Sequence, residues 1–222
     1  MVVEICATSL KSLINAQKAG ADRLELCENY LSGGITPNID FVSVAIKKSQ
    51  LPINILIRPR AGNFYFNDFE FNQMIESINN FKNYNVNGFV VGFLNNYDQL
   101  DKDKLQHIRN VTKGYELTFH RAFDYVKDYK QSLELLIENE FDRILCSGCT
   151  EDSFKGINKL KELDKLSNDR IVIMPGGGVN IENFMHFKNA NFKEVHLSAI
   201  NKMKSLDSDY NIIKRIVEMS KQ

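Results

Sequence analysis

The chain has 222 residues, and its 28 Lys and Arg balance its 28 Asp and Glu, so no net field draws it to nucleic acid or to an anionic membrane. No apolar run approaches the roughly 18 residues of a membrane span, and the start, Met1-Val2-Val3-Glu4, has no basic segment leading into an apolar one; a cytoplasmic protein is expected. Four cysteines do not make a disulfide framework at this length, so in a reducing compartment each thiol is expected to be buried, reactive or metal-binding.

The first apolar run, Val2 to Cys6, reads as a strand, and Ser9 to Ala19 then has helical periodicity, with Ser9 as N-cap and Gly20 just past the end. Strands are expected at Arg23 to Cys27 and Ile53 to Arg58, followed by a helix at Asn67 to Asn80. Two more strands, Gly88 to Gly92 and Glu116 to His120, precede a helix at Tyr129 to Glu138. The pattern continues with strand Arg143 to Ser147, helix Thr150 to Leu166, strand Ile171 to Met174, helix Asn180 to Lys188 and strand Glu194 to Ser198. Eight strands in 222 residues give one βα unit per roughly 28 residues, close to the roughly 30 of a βαβ repeat. The expected class is α/β, a TIM-like (β/α)8 barrel forming a single domain over residues 1–222. The other candidate, a doubly wound open sheet, calls for a Gly-rich first βα turn, and here that turn reads Cys6-Ala7-Thr8-Ser9.

Chemistry in such a barrel sits at the C-terminal ends of the strands. Those ends carry Cys6, Cys27, Arg58, Gly92, His120, Ser147, Met174 and Ser198, while the middles of the runs are mostly apolar. Side chains two apart on a strand share a face. If Val3, Ile5, Leu117, Phe119, Val195 and Leu197 face the helices, then Glu4, Cys6, Thr118, His120, Glu194, His196 and Ser198 face inward, which spares the charged groups a dry outer layer. Glu4, Glu25, Arg58, His120 and His196 are therefore expected in one cavity, as candidates for proton transfer or, for Arg58, anion binding.

Strands one and two end alike, in Glu4-Ile5-Cys6 and Glu25-Leu26-Cys27. Cys6 and Cys27 form a candidate Cu(I) site, since that ion favours a few thiolates; the plainer reading is two small buried apolar residues. Glu and His could instead hold a divalent cation such as Zn²⁺ or Mn²⁺. Cys146-Ser147-Gly148-Cys149 is formally C-x-x-C but lacks the partner motif of a zinc ribbon. Gly176, Gly177 and Gly178 follow strand seven, where barrels often bind phosphate through backbone N–H groups. Arg58 and Arg60 add cations to the rim, their plainer use being an ion pair from Arg58 to Glu25 or Glu4. Asp124 is expected to orient a neighbour of His120. His107 and His186 read as surface residues.

Seven ordered segments resemble the CutC family over essentially the whole chain: Glu4 to Cys6, Gly20 to Cys27, Gly33 to Pro37, Ile57 to Arg60, Thr118 to Asp124, Met174 to Val179 and His196 to Ala199. The resemblance implies a TIM-like barrel, a cytoplasmic location, homo-oligomerisation as a dimer or tetramer, and a role in copper homeostasis with Cu(I) ligation falling on Cys6 and Cys27. Two functions follow. One is Cu(I) binding at the barrel mouth. The other is an isomerase, epimerase or lyase acting on a small anionic or phosphorylated metabolite, held by Arg58, Arg60, the glycine loop and Ser198; no strand ends in Lys, which disfavours Schiff-base chemistry.

Overall fold

Strands and helices alternate along the chain of this computed structural model, which describes residues 1–201, 203 and 205–222. The strands are β1 (Val2–Ala7), β2 (Arg23–Leu26), β3 (Ile53–Leu56), β4 (Gly88–Val91), β5 (Glu116–Phe119), β6 (Arg143–Cys146), β7 (Val172–Pro175) and β8 (Glu194–Leu197). The helices are α1 (Leu10–Ala19), α2 (Ile39–Lys48), α3 (Asp68–Phe81), α4 (Lys102–Val111), α5 (Tyr129–Glu138), α6 (Ile157–Ser167), α7 (Phe184–Asn189) and α8 (Tyr210–Lys221). Every strand pairing is parallel, in the order β7-β6-β5-β4-β3-β2-β1-β8. Because β7 and β8 also pack side by side, the sheet is a nearly closed barrel. The open-sheet alternative is excluded.

The helix starts follow from short polar side chains that accept otherwise unpaired N–H groups. Ser9 accepts from Ser12 and Gly20 ends α1 at φ 84°; Asn67 and Glu70 form a reciprocal capping box on α3. Two helices start later than the periodicity predicts. Residues 150–156 form turns rather than the first turns of α6, because Asp152 accepts the N–H groups of Phe154 and Lys155, and Ser153 bonds to the Gly177 carbonyl. Before α7, Asn180 and Asn183 each accept the other's backbone N–H, which satisfies the chain locally without a helix.

Alternation sends Ile5, Leu24, Ile55, Phe89, Phe119, Ile144 and Val195 outward into the main core under the helices. The inward set is different from the Val, Ile and Leu layers usual inside such barrels. Towards the N-terminal ends of the strands it is charged: Glu4, Arg23, Glu194 and Arg143 are all buried. Above them Cys6, Cys27, Leu56 and Val90 form a small apolar cluster of their own.

Candidate functional site

The charged inner layer is a continuous ladder. Arg23 Nε donates to Glu4 at 2.5 Å, and its Nη2 donates to Glu194. Arg143 Nε donates to the same Glu194 oxygen at 3.1 Å, while its Nη1 reaches Thr118 at 3.2 Å and Glu116 at 2.9 Å. On the other side of Glu4, His196 Nδ1 lies 2.8 Å from Oε1. Strand register produces this, since β1 aligns Glu4 with Arg23 on β2 and with His196 on β8. Burial alone would raise the Glu4 pKa, but Arg23 and His196 hold it well below the usual carboxylate range. Glu4 is thus a fixed negative charge that orients His196.

Above the ladder lies a cavity of about 690 Å³ at the C-terminal end of the barrel, within the range of small-molecule sites. One wall carries the thiols. Cys6 Sγ and Cys27 Sγ are 2.9 Å apart, well beyond the roughly 2.0 Å of a disulfide. Cys6, Glu25 and His196 offer ligand atoms within 4.8 Å of one another. The contact with Cys27, together with burial, pushes the Cys6 thiol well above its ordinary value, so a metal would have to displace its proton. Burial, with Glu4 nearby, raises Glu25 to about 7. For His196, burial works against the charge, and the carboxylates of Glu25 and Glu4 with a Cys6 contact override it, raising its pKa. With Glu4 on Nδ1, the other ring nitrogen is the one that faces a ligand, and a metal would have to displace its proton too. Gly34, at φ 84°, lets the loop after β2 close over this wall: a Cβ there would sit 2.9 Å from Leu56 and 3.6 Å from Cys27 Sγ.

The second wall carries Arg58 and His120. Arg58 Nη1 donates to the carbonyls of Ser32 and Gly34, and Nη2 to that of Gly62. The expected ion pair from Arg58 to Glu25 or Glu4 is therefore replaced by backbone contacts, because Arg23 has already taken Glu4. His120 accepts the Ala122 N–H on Nδ1 at 3.1 Å, and burial beside Arg58 lowers its pKa to about 3. It is a neutral imidazole whose proton sits on Nε2. Gly92 makes room for it, since a Cβ there would lie 2.2 Å from Nδ1.

Of the residues singled out by sequence, Cys6, Cys27, Glu25, Arg58, His120, His196, Gly177, Gly178 and Ser198 line this cavity. Glu4 lies beneath it. Gly176 is packed under the rim, where a Cβ would meet Leu145 at 2.3 Å. Arg60 turns away and pairs with Glu70 at 2.5 Å on α3. Asp124 accepts from Arg121, Ser147 and Cys149, so it anchors the loop after β6. Cys146 is buried in the outer core and Cys149 is exposed; His107 and His186 are exposed. Sequence reasoning passed over Arg23, Arg143 and Glu116, although each shares its parity with an inward-facing neighbour.

The CutC family model matches residues 1–201. The chain belongs to the CutC family. It is 36% identical over 199 residues to the human "Copper homeostasis protein cutC homolog", covering 89% of this chain and 73% of that protein. A family protein CutC of Glaesserella parasuis serovar 5 is 38% identical over 207 residues, covering 93% and 85%. Among solved structures, the CutC of Streptococcus agalactiae superposes with a TM-score of 0.84 at 33% identity, covering 89% of this chain and 98% of that one. All eight strands of this CutC chain, and every residue lining its cavity, fall inside the matched stretch. An N-(5'-phosphoribosyl)anthranilate isomerase from Pyrococcus furiosus, at 15% identity and a TM-score of 0.64, shares the barrel fold.

Proposed function

We propose that this CutC chain serves copper homeostasis by binding Cu(I) at Cys6 and Cys27. The observation that carries the reading is the 2.9 Å approach of the two sulfurs on the cavity wall. Soft thiolates select Cu(I) over harder ions; the donors are the two sulfurs, and Glu25 and the Glu4-oriented His196 lie within reach of Cys6. The same Cys, Glu and His set also accommodates a divalent ion such as Zn²⁺. Anaerobic Cu(I) titration against a chromophoric chelator tests the proposal. Wild type is expected to compete, and the Cys6→Ser/Cys27→Ser double variant to lose at least a hundredfold in affinity; equal affinities would refute it. The protein is proposed to act in the cytoplasm as a homo-oligomer, dimer or tetramer, which light scattering of the purified chain checks.

A second reading is favoured by the size of the cavity. About 690 Å³ is far more than two thiolates and an ion need, so the mouth is also proposed to accept a small anionic metabolite, as substrate of an isomerase, epimerase or lyase or as ligand. Its test is a thermal-shift screen of small anions on wild type and Arg58→Ala. Stabilisation that does not depend on Arg58 would count against the anion site.

A further inference from the structure

Two buried N–H groups, on residues that line the cavity, lack an acceptor among the described residues. Arg58 and His120 are each 5% exposed. Arg58 spends both terminal nitrogens on backbone carbonyls, yet its Nε has no hydrogen-bond partner among the described residues. His120 Nε2, which carries the ring proton because Nδ1 accepts from Ala122, is likewise without one. Both residues line the same cavity. The Phe64 ring lies 4.9 Å from the Arg58 guanidinium carbon and 5.0 Å from the His120 ring centre, joining them into one wall. Buried donors are costly to leave unmade, and both are fixed in position by the backbone bonds their other nitrogens make.

We propose that Arg58 Nε–H and His120 Nε2–H together bind the carboxylate of a small organic monoanion seated in the cavity. This rests on the second reading above and names its ligand class and its donors. The two donors carry one positive charge between them, which suits a monocarboxylate; Arg121 lines the same cavity, so discrimination against a phosphate dianion rests on the Arg58 fork. The Arg58 fork, already closed on carbonyls, is not free for the bidentate grip that phosphate favours. Leu56, Leu145 and Val179, which line the same cavity, give the carbon body of the ligand an apolar surface. Two further buried atoms lack a hydrogen bond among the described residues, Glu25 Oε2 on the thiol side and Glu116 Oε2 beside Arg143 in the charged layer, and neither is assigned a part in the contact.

The test uses the whole chain and saturation-transfer NMR with calorimetry at pH 7.5, on benzoate and lactate, their amides benzamide and lactamide, and inorganic phosphate. The carboxylates are expected to bind at least tenfold more tightly than the amides or phosphate. His120→Phe and Arg58→Lys, each checked for fold by circular dichroism, are each expected to weaken carboxylate binding about tenfold. Preference for phosphate overturns the carboxylate assignment and leaves the anionic-metabolite reading standing, whereas equal binding of acids and amides overturns both. Carboxylate binding unchanged in both variants overturns the donor pair. If none of the five probes binds wild type, the proposal falls, and the thermal-shift screen decides the cavity reading separately.

Discussion

Glu4→Gln isolates the buried ladder. The side chain is fully buried, and its carboxylate faces Arg23 Nε at 2.5 Å and His196 Nδ1 at 2.8 Å. The amide is nearly isosteric, and its oxygen still accepts from His196. Its NH₂ then opposes the Arg23 N–H, donor against donor, and the charge that balanced Arg23 is gone. Breaking a buried ion pair costs about 3–5 kcal/mol; because Arg23 keeps Glu194, the low end, about 3 kcal/mol, is expected. That is a large share of the roughly 5–15 kcal/mol that holds a typical domain folded. Urea unfolding at pH 7 reads it as a midpoint lowered by about 1 M, at a slope of roughly 3 kcal/mol per M. The double variant Glu4→Gln/Arg23→Met removes both charges, so it is expected to cost less than the sum of the single changes. A single variant within about 1 kcal/mol of wild type, with an additive double variant, would refute the ladder as an energetic unit.

The remaining predictions concern the cavity. Glu25 has its pKa raised from 4.5 to about 7, so the folded state holds a proton that the unfolded state releases, and stability falls as pH rises from 4.5 to 7. Glu25→Gln is therefore expected to match wild type at pH 5 and to exceed it by up to about 3 kcal/mol at pH 8 in urea titrations. His120 has the opposite sign: its pKa is lowered from 6.5 to about 3, so its contribution is full above pH 6.5 and up to about 5 kcal/mol is lost as pH falls to 3. His120→Phe should flatten that acid limb, and an unchanged limb would show that His120 is not the group titrating. Gly92→Ala, with its new Cβ 2.2 Å from His120 Nδ1, is expected to lower thermal stability by about 1–3 kcal/mol through overpacking, measured by calorimetry. In timed alkylation read by mass spectrometry, exposed Cys149 should react before buried Cys146.

The sequence by itself determined the barrel, because period-two alternation and a repeat of roughly 28 residues are local signals, repeated eight times. Alternation also placed Cys6, Glu25, His120 and His196 on the inner face, and the strand-end rule placed Cys6 and His120 at the mouth. Only the tertiary structure decided who pairs with whom. Arg23 reaches both Glu4 and Glu194 because β2 and β8 flank β1 in a register that no single strand encodes. That left Arg58 to bind carbonyls and kept its Nε free. Arg60, two residues on, belongs to α3 through Glu70, since past the strand the alternation that fixes a side chain's direction has ended. The late start of α6 has the same cause: residues 150–156 answer to Gly177 across a loop rather than to their own periodicity. Parity along a strand is set by the backbone of that strand, whereas ion pairing and loop path depend on stagger between strands distant in sequence.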